Sequence, residues 1–132
     1  MRYLLDTNII IGAFVEPERL SVKTRTQISS SQTFKMVSTA SLWELAIKKQ
    51  KAPASLAFSP RELLLALQDQ RVDILDVTPD IAVGIADAER YHGDPFDHII
   101  MAHARSANAT LLTSDKTLGR YSGDIEVVKL KP

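Results

Sequence analysis

The chain has 132 residues, enough for one compact domain with a real hydrophobic core. Hydrophobic residues make up 45% and charged residues 24%, the balance of an ordinary globular protein. Lys+Arg and Asp+Glu both number 16, so no global charge draws the chain to nucleic acid or anionic membrane, and the absence of cysteine excludes disulfides and thiolate metal sites.

Short β-type runs alternate with longer helical patterns. Tyr3 to Leu5 is a short strand, and Ile9 to Val15 a short helix stopped near Pro17. Leu20 to Ser30 is a polar helix, and Phe34 to Val37 a second strand. Ser41 to Gln50 is a helix ended by the polar run before Pro53. Ser59-Pro60 opens another, with Ser59 as N-cap and Pro60 at the first helical position. Val72 to Val77 is a third strand, and Thr78-Pro79 opens the next helix by the same logic. Asp94-Pro95 opens one more, running to about Ala107. Thr110 to Thr113 and Ile125 to Leu130 are the fourth and fifth strands. Strands separated by helical crossovers predict a parallel sheet covered on both faces. Ligands of such sheets bind beyond the carboxyl ends of the strands, near a switch point in strand order. No apolar run approaches the roughly 18 residues of a membrane span. The start MRYLLDTN lacks the apolar core of a signal peptide, so a cytoplasmic protein without a membrane partner is expected.

Four acidic residues sit where apolar runs end or helices begin: Asp6, Glu44, Asp97 and Asp115. Each has a structural explanation. Ser41-Leu42-Trp43-Glu44 fits a capping box, and Glu44 can also pair with Lys48 one turn on, a contact worth ~0.2–0.5 kcal/mol. Asp94-Pro95-Phe96-Asp97 repeats the pattern, with Asp94 as N-cap and Asp97 favouring the helix dipole. Asp6 and Asp115 suit turn caps. Asp97, however, shares a helical stripe with Ile100, Met101 and Ala104, which points its carboxylate inward, where it is costly unless paired or metal-bound. Asp76 also ends an apolar run, but on a strand expected at the sheet edge. Carboxylates converging on one sheet edge call for a positive partner. Mg²⁺ or Mn²⁺ fits oxygen donors, and one or two such ions suit phosphodiester cleavage.

Other chemistries lack their motifs. There is no phosphate-cradling glycine loop and no G-x-S-x-G elbow. His92, His98 and His103 make no helical zinc pair, and His98 reads as an exposed first-turn residue. Lys48, Lys49, Lys51 and Lys116 are candidates for phosphate contacts, with solvated surface lysines as the simpler explanation.

Leu4-Leu5-Asp6-Thr7-Asn8, Ser41-Leu42-Trp43-Glu44, Asp94-Pro95-Phe96-Asp97 and Leu112-Thr113-Ser114-Asp115 together resemble, in order and spacing, the signatures of PIN-domain ribonucleases. Within that family the chain is most similar to VapC-type toxins of toxin–antitoxin pairs. The resemblance implies a single α/β PIN-like domain over residues 1–132, with a five-stranded parallel sheet of order 3-2-1-4-5 flanked by helices. It implies that Asp6, Glu44, Asp97 and Asp115 form a catalytic metal site for Mg²⁺, with Mn²⁺ as substitute. Thr7, Asn8 and Thr113 match polar positions supporting that site. It further implies an RNA substrate, a cognate antitoxin and a homodimer. Many relatives carry Arg where this chain has His98. Two alternatives stay open: a PIN nuclease of housekeeping RNA processing, and a non-catalytic receiver-like domain with an acidic pocket. The second would need an acidic pair after the first strand, which Asp6-Thr7-Asn8 lacks.

Overall fold

A computed structural model describes residues 1–90 and 93–132, so His92 lies outside the described residues. Five parallel strands, β1 Arg2–Leu5, β2 Phe34–Ser38, β3 Asp73–Leu75, β4 Thr110–Thr113 and β5 Ile125–Val127, form one sheet in the order β3-β2-β1-β4-β5. The expected order is thus the observed one. β3 is an edge strand, as expected for the run that ends at Asp76. The direction of winding reverses at β1, whose Leu5 lies opposite Val37 of β2 on one side and Leu112 of β4 on the other.

Six α-helices are present among the described residues: α1 Thr7–Phe14, α2 Val22–Ser29, α3 Thr39–Lys51, α4 Pro60–Asp69, α5 Pro79–Gly84 and α6 Pro95–Ser106. The period of two along β1 divides the core between the faces of the sheet. Tyr3 and Leu5 pack with Ile9 and Ile10 of α1 and with Leu63 and Leu67 of α4. Leu4, pointing the other way, packs with Ile100, Met101 and Ala104 of α6. Leu4, Leu5, Ile9, Ile10, Ile100, Leu111 and Leu112 are wholly buried. Each such side chain stabilises the fold by ~1.5–3 kcal/mol. No helix among the described residues is long and apolar enough to cross a membrane.

Helix starts follow the capping residues, with two corrections. Ser59, Thr78 and Asp94 cap α4, α5 and α6 as their sequence positions predict. α3 is capped by Ser38 rather than Ser41: Ser38 ends β2, and its hydroxyl accepts from the Ala40 N–H at 3.0 Å. Thr39 is the first helical residue, so Glu44 is the sixth and lies beyond the capping turn. The capping-box explanation of Glu44 therefore falls away. Likewise α1 starts at Thr7, two residues earlier than its apolar run, because Asp6 caps it and accepts from the Thr7 N–H.

The choice of Ser38 has a tertiary cause. His103, buried on α6, places Nδ1 2.8 Å from Ser38 Oγ and Nε2 2.9 Å from the Asp76 carbonyl oxygen. A carbonyl can only accept, so Nε2 carries the proton and Nδ1 accepts from Ser38. This network ties α6 to the ends of β2 and β3 and fixes where α3 begins. Replacing His103 with Leu leaves the Asp76 carbonyl and the Ser38 hydroxyl without it. The expected loss is about 2–3 kcal/mol of unfolding free energy by urea titration. A loss under about 0.5 kcal/mol would contradict the linkage.

Candidate metal centre

The switch point lies between the carboxyl ends of β1 and β4, which the Asp6 N–H joins by donating to the Leu112 carbonyl at 2.9 Å. A pocket of about 230 Å³ lies here, with acidic side chains from four segments in its wall. Asp6 follows β1, Glu44 comes from α3, Asp94 and Asp97 from the start of α6, and Asp115 from the turn after β4. Thr7, Asn8 and Lys48 also line it. The structure thus brings Asp6, Glu44, Asp97 and Asp115 to one pocket. Asp94, taken from sequence only as a helix cap, joins them. That cap is real, with Oδ1 accepting from the Phe96 N–H at 2.9 Å. The missed signal is that Asp94 at the cap and Asp97 one turn on share a helix face.

Two threonine hydroxyls hold the carboxylates in place. Thr113 donates to Asp6 Oδ2 at 2.6 Å and accepts from the Asp115 N–H at 3.0 Å. Thr7 donates its N–H to Asp6 Oδ1 at 2.8 Å, and its hydroxyl lies 2.7 Å from Glu44 Oε1. Ser41 Oγ is 3.1 Å from the same Thr7 hydroxyl. A hydroxyl has one proton, so the consistent arrangement has Ser41 donating to Thr7 and Thr7 donating to Glu44. Ser41, buried inside α3, therefore supports Glu44 through Thr7 and not through the helix start. Asp115 is fixed separately, accepting the Thr117 N–H at Oδ1 over 2.8 Å.

Each of these bonds occupies one oxygen. Glu44 Oε2, Asp94 Oδ2 and Asp115 Oδ2 have no protein donor among the described residues. Lys48 lies in the pocket wall but makes no ion pair with Glu44, so the expected pairing is absent. Lys49 is turned away, its Nζ donating to the carbonyls of Pro53 and Leu56. It ties down the chain after α3 and is not placed for a phosphate contact. His98 is half-buried, where the sequence suggested exposure.

The electrostatics register the crowding. Burial pushes the Asp6 carboxyl above its ordinary 3.8; the Thr113 hydroxyl and the Thr7 N–H oppose this, and the charges of Asp115 and Asp94 add to it. Burial also raises Glu44 above its ordinary 4.5; the Thr7 hydroxyl and Lys48 oppose this, and Asp94 and Asp6 add to it. A site that raises proton affinity in this way also favours any other cation that can enter. The donor set is all carboxylate, amide and hydroxyl oxygen, which fits Mg²⁺ or Mn²⁺ and not a soft metal. Among the described residues no group of three or more acidic or histidine side chains is drawn together tightly enough to hold an ion directly. The spacing still suits Mg²⁺, which usually keeps several waters beside one or two protein carboxylates.

The family model described as PIN domain matches residues 3–124. No curated protein is significantly similar in sequence. Among solved structures, VapBC2 from Rickettsia felis, bound to a promoter DNA fragment, is 19% identical with a TM-score of 0.67, over 99% of this chain and 100% of that one. DNA-bound VapBC from Salmonella typhimurium is 22% identical with a TM-score of 0.65, over 96% and 98%. A toxin–antitoxin complex from Klebsiella pneumoniae is 20% identical with a TM-score of 0.65, over 95% and 96%. At these identities the likeness is one of fold.

The raised carboxyls give a stability test. The folded state holds protons on Asp6 and Glu44 more tightly than the unfolded chain does. Both groups therefore favour the fold most near and below their ordinary values of 3.8 and 4.5, and that contribution is lost as pH rises through the raised values. In metal-free buffer, Asp6→Asn should gain stability relative to wild type as pH rises from about 4 to about 7. The readout is the difference in urea midpoint between the two proteins. A difference that stays flat with pH would contradict a strained carboxylate at Asp6.

Proposed function

The chain belongs to the PIN-domain family, and on that premise we propose that it is a metal-dependent endoribonuclease, the toxin of a toxin–antitoxin pair. The observation that carries the proposal is the single pocket walled by five carboxylates, two of them with raised proton affinity. PIN domains are nucleases, and the fold is that of chains in VapBC and other toxin–antitoxin complexes. A cognate antitoxin and a second copy of this chain are the proposed protein partners, and all 132 residues are proposed to form the one domain.

In this proposal Asp6, Glu44, Asp97 and Asp115 hold Mg²⁺ or Mn²⁺, and Asp94 adds charge from the cap of α6. Such an ion, when bound, supplies an acidified water and positive charge for the phosphate oxygens. Thr113 and Thr7 fix the Asp6 oxygens from both sides, so that carboxylate is preorganised before substrate arrives. Thr7 orients Glu44 through Oε1 and leaves Oε2 without a protein donor among the described residues, available to the ion. Water attacks the phosphorus in line and gives a proton to the carboxylate cluster while the P–O3′ bond breaks; the leaving 3′-oxygen takes a proton from solvent, so the products carry a 5′-phosphate and a 3′-hydroxyl. Asn8, exposed and in the pocket wall, would donate to a phosphate oxygen in this proposal.

The assay is cleavage of RNA with Mg²⁺ or Mn²⁺ by wild type, Asp6→Asn and Asp97→Asn. Each variant should lose about a hundredfold or more in rate, ~2.7 kcal/mol of transition-state stabilisation. Equal cleavage by all three proteins would sink the proposal. An independent readout needs no substrate. Metal at a hundredfold excess over its dissociation constant should stabilise the wild-type fold by ~2.7 kcal/mol, and the Asp6→Asn fold by less. A melting temperature indifferent to millimolar Mg²⁺ and Mn²⁺ would count against the site.

A further inference from the structure

Beside the acidic pocket lies a second, open pocket of about 490 Å³ with the opposite charge. Arg19, Lys116 and Lys129 line it together with Asn8 and Ser114, and it contains no acidic residue in its wall. Its residues come from the same edge of the sheet as the proposed metal centre. Asn8 follows β1, Ser114 and Lys116 follow β4, and Lys129 follows β5. The two pockets are contiguous. Asn8 belongs to both, and Asp115 of the acidic pocket sits in sequence between Ser114 and Lys116 of the basic one.

The cations of this groove are differently committed. Arg19 is tethered: Nε donates to the Lys131 carbonyl at 3.3 Å, and its guanidinium lies 3.8 Å from Glu16. The Lys131 N–H returns a bond to the Arg19 carbonyl at 2.8 Å, so the segment after β5 is pinned against the 3-10 turn Pro17–Arg19 that follows α1. The Val128 N–H donates to the Thr113 carbonyl at 2.7 Å, which holds the groove floor to β4. Lys116 and Lys129 are exposed and make no ion pair among the described residues. Their positive charge is unspent by the fold, although the chain as a whole has no net charge.

We propose that this groove carries the phosphate backbone of single-stranded RNA into the acidic pocket, with Lys116 and Lys129 as phosphate contacts and Asn8 at the junction. The inference rests on the ribonuclease reading given above. A polyanion approaching five carboxylates is repelled, and a chain of zero net charge offers no general attraction to offset that. A local cationic track ending at the carboxylates supplies the attraction where the strand must enter. The groove also gives the strand a direction across the sheet edge, from β5 toward β1.

The test measures binding without turnover. All proteins carry Asp6→Asn, are kept in EDTA, and are titrated with a short fluorescein-labelled single-stranded RNA at several salt concentrations. One protein adds Lys116→Gln and Lys129→Gln. A second adds Lys23→Gln and Arg61→Gln, which remove the same charge from exposed sites outside both pockets. Losing two phosphate contacts should flatten the slope of log affinity against log salt by about 1.4 and weaken binding roughly tenfold at 0.1 M salt. The second protein should keep a slope close to that of Asp6→Asn alone. Equal slopes in the two variants, or no measurable RNA binding by Asp6→Asn, overturn the groove. Cleavage by wild type is scored separately. Cleavage with equal slopes leaves the nuclease reading standing without the groove; the predicted slopes without cleavage leave the groove standing without the nuclease reading.

Discussion

Five carboxylates share one pocket wall, and their mutual repulsion is the constraint around which this end of the molecule is organised. Carboxylates left to themselves would swing apart into solvent. Asp6 is prevented from doing so by burial and by the Thr113 hydroxyl and Thr7 N–H that grip its two oxygens. A hydrogen bond to a charged group contributes ~1.5–3 kcal/mol, enough to hold the carboxylate but not to erase the cost of desolvating it. The raised proton affinity of Asp6 and Glu44 is what remains of that cost. A pocket so constructed favours a cation that brings two charges and accepts oxygen donors.

The fold supplies this geometry through its topology. Because β4 returns to the other side of β1 from β2, the connections that leave the ends of β1 and β4 diverge and open a crevice between the strand ends. Asp6 and Asp115 reach it from those ends, while α3 and α6 bring Glu44 and the Asp94–Asp97 pair from the sides. Thr7 links two of these contributions directly, bonding Asp6 through its N–H and Glu44 through its hydroxyl. Thr113 links Asp6 to a third, donating to Asp6 and accepting from the Asp115 N–H. Neither threonine needs to touch substrate to matter; each fixes an angle between carboxylates.

Much of this was legible in the sequence, because it rests on local rules. Ser59-Pro60, Thr78-Pro79 and Asp94-Pro95 announce helix starts through capping chemistry and the fixed φ of proline, and all three hold. The parallel sheet followed from the alternating elements and its strand order from the resemblance to the PIN family, and the four acidic residues do meet in one pocket. What was illegible depended on contacts distant in sequence. Ser38 and Ser41 are equally good caps by type. The choice of Ser38 comes with His103, 65 residues later, which holds its hydroxyl. That choice moves Glu44 out of the first turn and removes the bland explanation for it. Asp94 was seen as a cap and nothing more, since one oxygen sufficed for that role and the sequence says nothing of where the other faces. Lys49 looked available for phosphate until its ammonium proved bonded to two carbonyls of the following loop.

The charge distribution completes the account. Zero net charge hides a strong separation at one sheet edge, acidic between β1 and β4 and basic from β4 to β5. The central claim is that the acidic side holds a divalent ion. Anomalous diffraction from crystals soaked in Mn²⁺ tests it most directly. The account predicts a peak inside the pocket within about 2.0–2.3 Å of an Asp6 oxygen or of a carboxylate facing it. A map with no manganese in that pocket, or with manganese only elsewhere on the surface, would contradict it.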